Sequence, residues 1–93
     1  MTLVLKDPGA ALDYAVDWGA EYLNGDTLLQ SEWQVRPDEA GGVTVVDSSF
    51  DDRLATVTAQ GGIAGRLYQL VNTVVLASGL ADSRSITLRV EKR

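Results

Sequence analysis

The chain carries thirteen carboxylates but neither histidine nor cysteine. The commonest general base, the commonest metal ligand and the thiolate nucleophile are therefore all missing. Any chemistry must come from carboxylates, hydroxyls, aromatic rings or backbone. Asp13, Asp17, Glu21 and Asp26 raise the question of Ca²⁺. A calcium loop gathers several oxygens within about a dozen residues around a sharply turned glycine. Asn24-Gly25-Asp26 is too short for that and its spacing does not match, while Asp47, Asp51 and Asp52 read as an acidic turn. Glycoside hydrolysis needs two carboxylates fixed across a cleft, and a sandwich of 93 residues leaves little room for one. The glycine-rich stretch Gln60–Gly65 (QGGIAG) lacks the Lys-Ser/Thr and the helix of a phosphate loop, so it reads as a turn. Tyr14, Trp18, Tyr22 and Trp33 could stack on sugar rings. Three of them fall on core-facing positions, which favours ordinary packing and leaves Tyr22 as the one expected at the surface. No catalytic, cofactor-binding or metal-ligating residue is assigned on these grounds.

The elements that must position these residues are strands. Gly65–Val90 is the organising stretch. Leu67–Leu76 is dense in Leu, Tyr, Val and Thr, uninterrupted by Pro or Gly, and apolar on both faces, which predicts a central strand. Ile86, Leu88 and Val90 then alternate with Ser85, Thr87, Arg89 and Glu91. With Ala77–Ser83 as the loop, the two runs form an antiparallel hairpin.

Upstream, Leu3–Leu5 predicts a short first strand ending at the turn formers Asp7-Pro8-Gly9. Leu12, Tyr14, Val16 and Trp18 alternate with Asp13, Ala15 and Asp17. A helix over Pro8–Leu23 would scatter those four apolar residues around its axis, so a strand is preferred. Asn24-Gly25-Asp26 marks a turn. Leu29, Ser31, Trp33 and Val35 share one face of the next strand, with Trp33 as a core anchor, and Pro37 ends it. Val43–Val46 predicts a short strand, Asp47–Asp52 a polar turn with Phe50 packed inward, and Leu54–Thr58 another strand. About seven strands at intervals near ten residues predict an all-β, immunoglobulin-like sandwich in one domain spanning residues 1–93. Its expected core is Leu12, Tyr14, Val16, Trp18, Trp33, Tyr68, Leu70, Ile86, Leu88 and Val90. Trp33 and Tyr68 sit where such sandwiches place a core tryptophan and a corner tyrosine.

Charge and hydropathy narrow the partners. The net charge of −5 argues against nucleic acid. No stretch approaches the roughly 20 apolar residues of a membrane span, and Met1–Lys6 lacks the basic opening of a signal peptide. The chain reads as soluble and made in the cytoplasm. Up to Asp52 it holds two basic and eleven acidic residues, and from Arg53 onward six basic and two acidic. The halves balance at −9 and +4. If that asymmetry survives folding, it gives an acidic and a basic surface that meet head-to-tail. Acidic loops such as Asp47–Asp52 would face Arg84, Arg89 or Arg93 of a neighbour through weak, salt-sensitive contacts. The isolated chain is then expected to be monomeric or weakly associated. Its N-terminal segment is expected to pair within its own domain or with a neighbour's sheet, and the C-terminal strand to be an edge guarded by Glu91-Lys92-Arg93.

Two segments carry a resemblance. The first holds Lys6-Asp7-Pro8, Leu12-Asp13-Tyr14-Ala15-Val16-Asp17-Trp18, Gly25-Asp26-Thr27 and Ser31-Glu32-Trp33-Gln34-Val35. The second runs from Gly61-Gly62 through Gly65, Tyr68, Asn72 and Ser78-Gly79 to Asp82-Ser83-Arg84-Ser85-Ile86. In this order, they resemble small virion proteins of tailed bacteriophages of the fiber-tail adaptor type. That resemblance implies a non-enzymatic structural protein without cofactors, placed at the head–tail or tail–fiber junction and present in multiple copies. Its partners would be neck, tail, fiber or capsid proteins. A capsid decoration protein and a carbohydrate-binding module are the alternatives. The second would need Tyr14, Trp18 and Tyr22 to form an exposed platform.

Overall fold

A computed structural model describes residues 2–92, apart from the side chains of residues 2, 20 and 21. Seven strands appear in chain order: β1 (Thr2–Lys6), β2 (Ala11–Asp17), β3 (Leu28–Arg36), β4 (Val43–Phe50), β5 (Leu54–Gly61), β6 (Leu67–Leu76) and β7 (Ala81–Val90). A single helical turn, α1 (Ala20–Leu23), follows β2. The strands form two sheets, one ordered β1-β7-β6-β3 and the other β2-β5-β4. The all-β, two-sheet architecture expected from the strand spacing is what forms. The pairings β2-β5-β4 and β7-β6-β3 are those of strands B-E-D and G-F-C in immunoglobulin constant-type sandwiches. In that arrangement strand A lies beside B, whereas β1 here lies beside β7.

The hairpin β6–β7 is the centre of the larger sheet. Tyr68, Leu70, Asn72, Val74 and Leu76 of β6 face inward, as do Ile86, Leu88 and Val90 of β7. On β5 the small residues Ala55, Val57 and Ala59 face them and are fully buried, while Thr56 and Thr58 point out. A large residue on one sheet opposite a small one on the other lets the layers close to the usual spacing of about 10 Å. Each fully buried Leu, Val or aromatic side chain contributes roughly 1.5–3 kcal/mol of transfer free energy.

Of the expected core, Val16, Trp18, Tyr68, Leu70, Ile86, Leu88 and Val90 are buried. Tyr14 and Trp33 are partly buried against it. Leu12 is 39% exposed. Its inward-facing register, opposite Ala59, is as expected, but β2 is an edge strand of the smaller sheet and its inner face overhangs at that end. Alternation identifies a face; it does not say how far the opposing sheet reaches. Phe50 is corrected for the same reason. It ends β4 opposite Ala55 and is 44% exposed. The expected turn at Asp47–Asp52 begins only after Phe50, since β4 continues through a bulge between Val45 and Asp47.

Three further boundaries differ. Asp82 and Ser83 lie in β7, and the hairpin loop is confined to residues 77–80, where Leu76 N–H reaches Leu80 C=O at 2.7 Å. The region around Asn24-Gly25-Asp26 is preceded by a helical turn, which Asn24 and Gly25 end with φ of 48° and 88°. The C-terminal strand is not an edge. β1 pairs with β7 in parallel, from Thr2↔Ile86 to Lys6↔Val90, so the N-terminal segment is paired within its own domain. The free edges of the larger sheet are β1 and β3.

Two inward polar side chains join the layers. Asn72, fully buried, accepts a hydrogen bond from Trp18 Nε1 at 3.0 Å. It donates to Ser31 Oγ at 2.9 Å and to Glu32 C=O at 3.0 Å. Lys6, buried at the end of β1, donates through Nζ to the carbonyls of Asp7 (2.9 Å) and Gly61 (2.7 Å). Burial lowers the Lys6 pKa, and Asp7 partly opposes this.

Candidate functional site

The carboxylates singled out in the sequence are mostly engaged in holding turns. Asp26 accepts from the Ser78 hydroxyl and from Thr27 N–H (2.9 Å) and Ser78 N–H (3.2 Å), tying the β2–β3 connection to the β6–β7 loop. The Ser78 hydroxyl is the main cause holding its carboxyl below the usual range, followed by the Thr27 amide. Asp51 caps the β4–β5 turn through Arg53 and Leu54 N–H, and these two amides depress its pKa. Asp17 accepts from Gly19 N–H at 2.9 Å and lies 3.8 Å from Arg53. These are side-chain-to-backbone bonds of the kind that set turns. Among the described residues no group of three or more His, Cys, Asp or Glu is placed to hold a metal ion.

The aromatic candidates do not share an exposed platform. Trp18 is buried and Tyr14 half-buried, and only Tyr22 of the three is exposed. Arg84 covers the Trp18 and Tyr22 rings, its guanidinium carbon 4.4 Å from the Trp18 centroid and 5.0 Å from that of Tyr22. The two rings lie 5.2 Å apart at 51°. Tyr22 donates to Asp82 at 2.5 Å, which lowers the Asp82 pKa and raises that of Tyr22. This cluster closes one end of the sandwich. Each cation–π contact is worth about 0.5–1 kcal/mol at such a site. Sequence reasoning missed it because Arg84 and Trp18 are far apart in the chain.

Tyr68 closes the other end. It donates to Glu39 at 2.7 Å and accepts from Ile63 N–H at 3.2 Å. Its link to backbone five residues upstream is the corner arrangement expected from its place early in β6. Arg66 pairs with Glu39 at 3.1 Å. The stretch Gln60–Gly65 completes β5 and then turns, as expected. Gly62, at φ 115°, lies where a Cβ would come within 2.7 Å of Val90 Cγ2.

What remains is surface. Between the free edges of β3 and β4 runs an open cleft of about 500 Å³ lined by Trp33, Val35, Val43 and Val45. The outer face of the larger sheet carries Leu3, Leu5 and Leu67, all exposed, with Arg36 and Arg89. The outer face of the smaller sheet carries Asp13 and Asp47 on either side of Thr58. The described residues thus present faces of different charge, exposed leucines and open sheet edges at β1, β2, β3 and β4. Exposed apolar residues and open strand edges are features that protein–protein contacts use. No curated protein matches the sequence. Residues 6–89 match the family described as podophage GP4 fiber-tail adaptor protein gp77, and the chain belongs to that family.

Proposed function

We propose that the protein is a non-enzymatic structural adaptor of a tailed-phage virion, joining fiber to tail at the head–tail or tail–fiber junction through protein–protein contacts. Family membership over residues 6–89 carries this reading. The chemistry of the chain supports it. Asp26, Asp51 and Asp82 are occupied in turns and in the end cluster, and their lowered pKa values keep them ionised at neutral pH, the reverse of what a general acid needs.

The partners are other tail, neck, fiber or capsid proteins, and the adaptor acts in multiple copies within the particle after synthesis in the host cytoplasm. A net charge of −5 disfavours nucleic acid. Among the described residues no helix is long and apolar enough to cross a membrane. Carbohydrate binding loses its basis, because Trp18 is buried beneath Arg84 and leaves no stacked pair of exposed rings.

Phage assembled without this protein test the reading. The adaptor role predicts tails that lack fibers, and fiber attachment restored by adding the purified protein. Particles with a full complement of fibers in its absence would overturn it.

A further inference from the structure

We infer that the outer face of the four-stranded sheet docks onto the outer face of the three-stranded sheet of a second copy of this chain. This deepens the adaptor reading by naming a contact between neighbouring copies.

The register places two rows on the outer face of the larger sheet. One is Leu5–Arg89–Leu67 and the other Leu3–Thr87–Gln69–Arg36. Leu3, Leu5 and Leu67 are 60%, 46% and 57% exposed. Leu3 and Leu5 lie on the edge strand β1 and Leu67 on β6, with Arg89 between them on β7 and Arg36 beyond Leu67 on β3. Arg89 is paired with Glu91 at 2.7 Å on the exposed rim, and such a pair is worth little in water. Glu32 lies on the same face two rungs along β3 from Arg36, opposite Thr73.

Thr87 provides a second, independent observation. It sits on this outer face yet is only 8% exposed, and its Oγ1 has no hydrogen-bond partner among the described residues. With Arg36, Pro37, Leu67 and Gln69 it lines a depression of about 510 Å³. A buried hydroxyl without a partner costs roughly what a lost hydrogen bond does. A carboxylate entering the depression meets Arg36 at its rim, above the covered Thr87 hydroxyl.

The opposite side of the same molecule presents such carboxylates. Asp13, Thr58 and Asp47 form one rung of the smaller sheet, with Thr58 donating to Asp13. The outward positions around them are Ala11, Ala15, Thr44 and Thr56 with the exposed Gln60, and Val46 is half exposed at the β4 bulge beside Asp47. That makes an acidic face with an apolar spot able to receive exposed leucines. Asp13 and Asp47 are two strands apart, across β5. Arg36 and Arg89 are also two strands apart, across β6. At about 4.8 Å per strand, both pairs span about 10 Å laterally. Opposite charges thus lie a similar lateral distance apart on the two faces, the aspartates on one rung and the arginines in adjacent rows. Asp17, at the end of β2, is already paired with Arg53 and stays outside the match.

The contact uses two different faces, so it is heterologous and repeats from copy to copy. A three-strand face is about 15 Å wide, which puts the contact below the size of a stable independent interface. It is weak and salt-screened in solution and gains strength when neighbours are held on a common scaffold.

Sedimentation velocity of the full chain at low and high salt tests this. Association should rise with concentration at about 20 mM salt and disappear near 1 M. Arg36→Ala/Arg89→Ala and Asp13→Asn/Asp47→Asn, each checked for native circular dichroism, should each associate at least about tenfold more weakly. A 1:1 mixture of the two variants keeps one native pair of faces, so it should form a heterodimer and nothing larger. A wild-type chain that stays monomeric at low salt and high concentration would overturn the inference. So would variants that associate like wild type, or a mixture that does not combine. None of these outcomes depends on whether fibers attach in the absence of the protein, which tests the adaptor reading separately.

Discussion

Replacing Asn72 with alanine should destabilise the domain by about 3–5 kcal/mol, because one amide holds three groups in the core. Its Oδ1 accepts from Trp18, which follows β2 of the smaller sheet, and its Nδ2 donates to Ser31 and to the Glu32 carbonyl on β3. Three net hydrogen bonds at roughly 0.5–1.5 kcal/mol each supply part of the loss. The rest is the cost of leaving Trp18 N–H unpaired in a site closed to water, together with the space vacated. A domain of this length has a total stability of about 5–14 kcal/mol, so the variant should be only marginally folded. Even a 3 kcal/mol loss lowers Tm by roughly 12–24 °C. Urea unfolding followed by far-ultraviolet circular dichroism measures this without relying on tryptophan fluorescence. A cycle with Trp18→Phe isolates the bridge between the sheets, and the coupling should be about 1 kcal/mol or more. A loss below about 1 kcal/mol for Asn72→Ala, with additive double-mutant behaviour, would refute the claim that this bond pins the two layers together.

Trp33 should behave differently from Trp18. Its Nε1 is buried without a partner among the described residues, so Trp33→Phe should cost less than about 1.5 kcal/mol, whereas Trp18→Phe also forfeits a hydrogen bond; paired urea titrations decide. Gly62→Ala should lose at least about 2 kcal/mol, since the added methyl meets Val90 at a backbone angle L-residues avoid; a neutral thermal melt would contradict this. Acid should destabilise the fold through Asp26, Asp51 and Asp82, whose carboxyls ionise more readily folded than unfolded. Their contribution is complete above the ordinary aspartate range near 4, and it is lost as pH falls through their lower folded values. Melts from pH 6 to about 2.5 should show Tm falling at the acid end, less steeply in a triple Asp→Asn variant.

The strands were legible where one face of the chain is buried against a full opposing sheet. Leu70, Leu88 and Val90 are read correctly because β6 and β7 are the interior strands of the larger sheet and their inner faces are fully covered. Leu12 and Phe50 defeat the same logic, since overhang at a sheet edge depends on the length of the other layer. The parallel pairing of β1 with β7 left no local trace either; it joins the two ends of the chain. Asn72 and Lys6 are polar residues at inward positions, and only their partners explain their burial. The turn carboxylates were visible as turn formers, but their partners were not. Ser78, for example, lies 52 positions from Asp26. The Trp18–Arg84–Tyr22 cluster escaped for a related reason: the sequence marks two aromatic residues, while the cation that covers them arrives on β7.

The location of the protein in purified particles tests the central claim most directly. Electron cryomicroscopy of the intact virion, with this seven-strand sandwich fitted into the map, should place it where fibers meet the tail or the head meets the tail, in several copies around the tail axis. Density for the sandwich on the capsid lattice would contradict the adaptor reading in favour of decoration, and absence from purified particles would contradict any virion role.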